Sequence, residues 1–118
     1  MNQTQSMPKT LHPTVVITLG DPAGVGTEVT LKALADPTVS SLARFIVLGD
    51  RSALVPAEHS TGVQMATLPV EFRDLTTLPA DAVVQPGVLR AEYGAAAIRY
   101  VHDATLMCLH DEADAMVT

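Results

Sequence analysis

Apolar positions fall into three short runs and one long periodic stretch. Val15, Val16, Ile17 and Leu19 form the first run, Arg44 to Leu48 (RFIVL) the second, and Ala115, Met116 and Val117 the third. Short apolar runs rich in β-branched residues predict buried strands. The first strand is placed at Thr14 to Leu19. A helix follows from about Val25 to Ala35, with Leu31, Leu34 and Ala35 on one face and Glu28 to Lys32 as a favourable i,i+4 pair. Asp36-Pro37 ends it, because proline disfavours the helical conformation in the residue before it. Strand, helix and strand make one βαβ unit, and a parallel right-handed crossover is expected.

The middle of the chain is less regular. Ser52 to Ala57 reads as one or two helical turns broken at Pro56. Val63 to Leu68 and Val70 to Phe72 read as short strands, and Pro69, Pro79 and Pro86 confine them to short or edge positions. Ala91 to His110 is the longest helical pattern. Gly94, Ile98, Val101, Thr105 and Cys108 follow one line along it, and Ala95, Ile98, His102, Leu106 and Leu109 a neighbouring one. The stripe is wide, so the helix is expected to be mostly covered. A polar acidic stretch, Asp111 to Asp114, leads into the third buried strand.

Between the first strand and its helix lies GDPAGVGTE, Gly20 to Glu28. Glycines here permit torsions and close approaches that side chains would block, and Pro22 fixes one torsion. Glu28 falls in the first helical turn, where its charge suits the positive end of the helix dipole. Such a turn either holds an anionic group of a ligand at the helix start or simply makes a tight connection. Its spacing matches neither G-x-G-x-x-G nor G-x-x-x-x-G-K-[ST]. Gly20, Asp21, Gly24 and Gly26 are the candidate cofactor-binding residues. Asp50 closes the second strand 30 residues after Gly20, beyond the spacing of about 20 expected for a ribose-binding acid.

Composition narrows the partners. With 118 residues and 47% hydrophobic content, one ordinary domain and one core are possible and disorder is not the default. A net charge of −6 argues against nucleic acid or an anionic membrane as partner. Cys108 is the one cysteine, which excludes an internal disulfide and suits a reducing, cytoplasmic setting. At a stripe position it reads as a small core residue. The start of the chain, MNQTQSMPKTLHP, lacks an apolar core for a secretory signal and reads as a flexible arm over residues 1–13. No run is long enough for a membrane span. His102, Asp103, His110, Asp111, Glu112 and Asp114 are ligand types, but His102 and His110 lie two turns apart on the helix and read as packing or surface residues. No nucleophile arrangement is evident.

Gly20 to Glu28 strongly resembles the segment after the first strand of the 4-hydroxythreonine-4-phosphate dehydrogenase family of vitamin B6 biosynthesis, which typically shows GDPAGIGPE. Val47-Leu48-Gly49-Asp50, Pro86-Gly87 leading through Ala91, Glu92 and Gly94, and Asp114 to Thr118 agree in order. The resemblance implies an α/β fold similar to the isocitrate and isopropylmalate dehydrogenases, a mostly parallel sheet with flanking helices, incomplete here. Residues 14–118 would be the N-terminal part of such a dehydrogenase. It further implies NAD or NADP, a divalent metal (Zn, Mg or Co), a phosphorylated hydroxy-acid substrate that is oxidised and then loses carbon dioxide, and a homodimer at full length. None of His12, His59, His102 or His110 matches the family's metal-binding histidines, so no metal or catalytic residue is assigned and this chain alone is expected to be inactive. Thr27 stands where the family has proline and is expected to serve as an N-cap instead. A paralogous threonate or erythronate 4-phosphate dehydrogenase, a dihydrodiol dehydrogenase, a non-catalytic phosphate- or nucleotide-binding remnant and a degraded reading frame remain as alternatives.

Overall fold

The computed structural model describes residues 12–118. Most of the arm assigned to residues 1–13 lies outside the described residues. Of its last two, Pro13 is already tied to the sheet, its carbonyl accepting from the Arg44 N–H at 2.9 Å. The elements in order are β1 (Thr14–Thr18), α1 (Gly26–Leu34), α2 (Pro37–Ser40), β2 (Arg44–Gly49), α3 (Arg51–Thr61), a 3-10 turn (Met65–Thr67), β3 (Glu71–Asp74), α4 (Ala91–Leu109) and β4 (Ala115–Val117).

All strand pairings are parallel, and the sheet order is β3-β2-β1-β4. Val16 stands beside Ile46 on one side and Met116 on the other. The two faces of the sheet build two cores. Leu31 and Leu34 of α1 and Leu54 and Ala57 of α3 cover Phe45, Val47 and Leu19. Ala104 and Met107 of α4 cover Val16, Ile46 and Leu48. Helices on both faces explain why β1 and β2 carry continuous apolar runs. This is the parallel sheet with flanking helices expected from the sequence, and β3 is the edge strand.

The structure departs from the sequence reading at six points. Pro56 does not break its segment: α3 runs eleven residues through it. The proline forgoes the bond to Ser52, but burial of Ala53, Leu54 and Ala57 keeps the helix in place. Val63 to Leu68 is not a strand; Met65 turns into the core and the backbone closes a 3-10 turn there, while β3 begins at Glu71. After α1 the chain starts a further short helix, because the Asp36 carboxylate caps it by accepting from the Thr38 N–H at 2.9 Å. On α4 the buried line is Tyr93, Ala96, Tyr100, Ala104 and Met107. The two lines read from the sequence lie mainly on the outer side, with Ile98 72% and Leu109 71% exposed, so the helix is covered on one side only. The two tyrosines won the inward face because they bury the most surface. Finally, β4 is not buried: Val117 is 54% exposed, since among the described residues no helix covers that side of it. Glu28 and Lys32 form no ion pair among the described residues.

The carboxyl ends of β1 and β2 interlock. The Leu19 N–H donates to the Leu48 carbonyl at 3.0 Å, and the buried Leu19 side chain lies over Gly49. A Cβ at position 49 would stand 2.8 Å from Leu19 Cγ. Gly49→Ala is therefore expected to lower stability by about 1–3 kcal/mol, read as a lower urea midpoint at unchanged slope.

Candidate functional site

The glycine loop leaves the carboxyl end of β1, the strand from which the chain reaches β2 over one face of the sheet and beside which β4 arrives from the other. In open α/β sheets the crevice outside such a switch point is where ligands bind. The loop is shaped by three contacts. Gly20 adopts φ +77°, which side chains resist. The Asp21 carboxylate accepts from the Ala23 N–H at 2.8 Å, and the Asp21 carbonyl from the Gly24 N–H at 2.9 Å. At Gly26 the backbone of α1 lies so close that a Cβ would overlap the Leu19 carbonyl oxygen.

The four candidate residues therefore have different parts. Gly26 is committed to packing, and Gly20 to the bend. Gly24 is exposed and borders two cavities, and Asp21 borders one of them. The first, about 70 Å³, lies between the loop and α3 and is lined by Gly24, Thr27, Glu28, Pro56 and Ser60 among others. The second, about 180 Å³, lies between the loop and Gly87, Val88 and Leu89. A larger groove of about 390 Å³ between α3 and residues 80–84 contains none of the four.

Thr27 does not cap α1. The N-cap is Val25, without a side-chain cap, and Thr27 sits one residue inside the helix, 2% exposed, its hydroxyl lacking a hydrogen-bond partner. The first-turn N–H groups of α1 thus have no side chain of the cap to satisfy them. Glu28 lies beside them and lines the same cavity, so a phosphate there would meet a carboxylate. Polar but uncharged parts of a ligand suit this cavity better.

Asp50 is not a ribose acid in this structure. It is 1% exposed, and its carboxylate is consumed internally. It accepts from the Thr77 N–H at 2.8 Å, the Thr77 hydroxyl, the Leu78 N–H at 3.2 Å and the Tyr100 hydroxyl at 2.9 Å. Burial, reinforced by the adjacent Asp50 charge, holds the Tyr100 phenol well above the usual tyrosine range. Sequence reasoning missed Thr77 and Tyr100. The available signal was a tyrosine on the helix: once buried, its hydroxyl needs a partner. Asp50 also leaves α3 without a side-chain cap.

No group of three or more His, Cys, Asp or Glu among the described residues could hold a metal ion. His102 is exposed beside Asp103, and Cys108 is half-buried at the edge of the α4 core. No helix among them is long and apolar enough to cross a membrane.

No protein-family profile matches the chain. Individual relatives do. The chain is 36% identical over 122 aligned residues to a 4-hydroxythreonine-4-phosphate dehydrogenase of Synechococcus sp. (strain JA-2-3B'a(2-13)), covering 91% of this chain and 33% of the relative. It is 33% identical to a D-threonate 4-phosphate dehydrogenase of Bordetella bronchiseptica, covering 98% of this chain and 36% of the relative. The crystal structure of a 4-hydroxythreonine-4-phosphate dehydrogenase from Burkholderia phymatum superposes with a TM-score of 0.78 at 32% identity, over 89% of this chain and 35% of that one. The resemblance read from Gly20 to Glu28 is thus borne out across the chain, in sequence and in fold. The chain spans about a third of the length of the relatives it matches, so the fold is incomplete by comparison with theirs.

Two outcomes follow from the geometry. Gly26→Ala is expected to cost about 2–4 kcal/mol, because the obstacle is backbone, whereas Gly24→Ala, whose Cβ would stand 3.3 Å from the Asp21 carbonyl oxygen, costs less; urea midpoints order the two. Tyr100 keeps its proton in the folded chain while the unfolded chain loses it near pH 10. Its contribution to stability is therefore complete below about pH 10 and lost as pH rises further, and Tyr100→Phe flattens that alkaline decline in denaturation curves.

Proposed function

We propose that this chain is the N-terminal part of an NAD- or NADP-dependent, divalent-metal-assisted dehydrogenase that oxidises a phosphorylated hydroxy acid, 4-hydroxythreonine 4-phosphate, in the formation of pyridoxal phosphate. The observation that carries the reading is the glycine loop at the switch point of a parallel sheet, within a fold and sequence similar to dehydrogenases of that name. The Bordetella relative, aligned over 98% of this chain, supports D-threonate 4-phosphate as the alternative substrate.

Gly24 and Asp21 are the residues offered to the cofactor. Glu28 favours its hydroxyl- or amide-bearing portion over its phosphates, because the carboxylate accepts hydrogen bonds and repels anions. The nicotinamide, when bound, supplies the hydride acceptor. The chain's own share is to wall the crevice with backbone beside Gly24. The metal does not fit the described residues, which present no ligand cluster, so no step through it is assigned to this chain. The exposed apolar side of α4, with Ile98 and Leu109, supports further protein surface covering it, as a homodimer of the whole enzyme in the cytoplasm would provide.

Titrating the isotope-labelled chain with NAD and NADP tests the loop. Amide resonances of residues 20–28 are expected to shift, without reduction of NAD at 340 nm when 4-hydroxythreonine 4-phosphate and a divalent metal are added. Unshifted loop resonances at about millimolar dinucleotide, near the upper end of ordinary affinities, would sink the cofactor assignment.

A further inference from the structure

We infer that Asp50 is a positioning residue for the glycine loop, acting through Thr77, Leu78 and Tyr100. That the loop meets a ligand rests on the function proposed above; the coupling itself stands on geometry alone. A buried carboxylate without a cation is costly unless its lone pairs are filled. Here four donors fill them, and three come from Thr77 and Leu78. The charge at the end of β2 therefore fixes where the chain emerging from β3 must pass.

That passage supports the loop. Leu78 packs with Val84 and Tyr93 against Ala23, the middle of the glycine loop, which is only 7% exposed. From the same connection the Gly87 N–H donates to the Ala23 carbonyl at 2.8 Å. Tyr93 and Tyr100 lie on one buried side of α4, the first under Ala23 and the second on Asp50. Asp50 and Ala23 are thus held by the same two elements, residues 77–87 and the inward side of α4. Loss of the carboxylate frees Thr77 and Leu78, and with them the shelf on which the loop lies. The ligand-facing Gly24 is the residue after Ala23, so its placement follows.

Amide hydrogen exchange of the 118-residue chain, followed by NMR, tests this. In Asp50→Asn an amide N–H faces donors that had an acceptor. The Ala23, Gly24 and Gly87 amides are then expected to exchange about tenfold faster or more, while β2 amides of Phe45 to Val47 keep wild-type rates. Thr77→Val gives the same pattern more weakly, and Thr77→Ser, which keeps the hydroxyl, restores the wild-type rates. Unchanged loop exchange in Asp50→Asn overturns the inference. So does equal acceleration of loop and β2, which reports only general loss of stability, and so does Thr77→Ser behaving as Thr77→Val. Should Asp50→Asn not fold, the two Thr77 variants decide alone. The measurement needs no dinucleotide, so its failure and that of the cofactor reading are separable.

Discussion

Everything at the carboxyl edge of this sheet depends on how closely backbone can approach Leu19. Its carbonyl oxygen touches the first turn of α1 at Gly26, and its side chain lies on Gly49 at the end of β2. Two glycines, 23 residues apart, are required by one leucine. The approach at Gly26 sets how sharply the chain turns from β1 into α1. The approach at Gly49 sets how the two strand ends lie side by side. A loop with ordinary residues at either point would have to move away from the sheet, and the cavities beside Gly24 would change shape with it.

The second anchor is electrostatic. Asp50 gives up the usual duty of a residue at its position, capping α3, and turns its carboxylate into the protein. Four hydrogen bonds make an unpaired buried charge tolerable and join β2, α4 and the connection after β3. The connection from Asp74 to Ala91 has little regular structure of its own, and without such a tie its backbone would have few fixed points. The tie is placed where it also serves the glycine loop, through Leu78 and Ala23.

The elements legible in the sequence were those whose signal is local. β1, α1 and β2 follow from apolar runs, a glycine turn and a proline stop, and the parallel sheet follows from their order. What was not legible depended on partners distant in sequence. The inward side of α4 could not be chosen from periodicity, because Ile98, Val101 and Leu109 make an outer side nearly as apolar as the inner one. Tyr93 and Tyr100 decide it by meeting Ala23 and Asp50, contacts across 70 and 50 residues. Pro56 misled because its cost is local while the burial of Leu54 and Ala57 that offsets it is not. Within the candidate site, the turn itself was legible. The division of labour among its glycines was not, since nothing in the spacing distinguishes Gly26, pressed on a carbonyl, from Gly24, open to two cavities.

That division bears on what the site can bind. A helix start with free N–H groups ordinarily favours an anion, and on that ground alone a phosphate would be assigned to α1. Glu28 reverses the preference, because its carboxylate lies within the same first turn and borders the same cavity. The dipole of the helix stabilises Glu28 and is thereby partly spent before any ligand arrives. On the function proposed above, a dinucleotide lying across the loop would find cations for its phosphates on other surfaces and turn its sugar or amide portion to this wall. A net charge of −6 agrees with this at longer range, since the chain as a whole has no excess of cations to draw an anion by field.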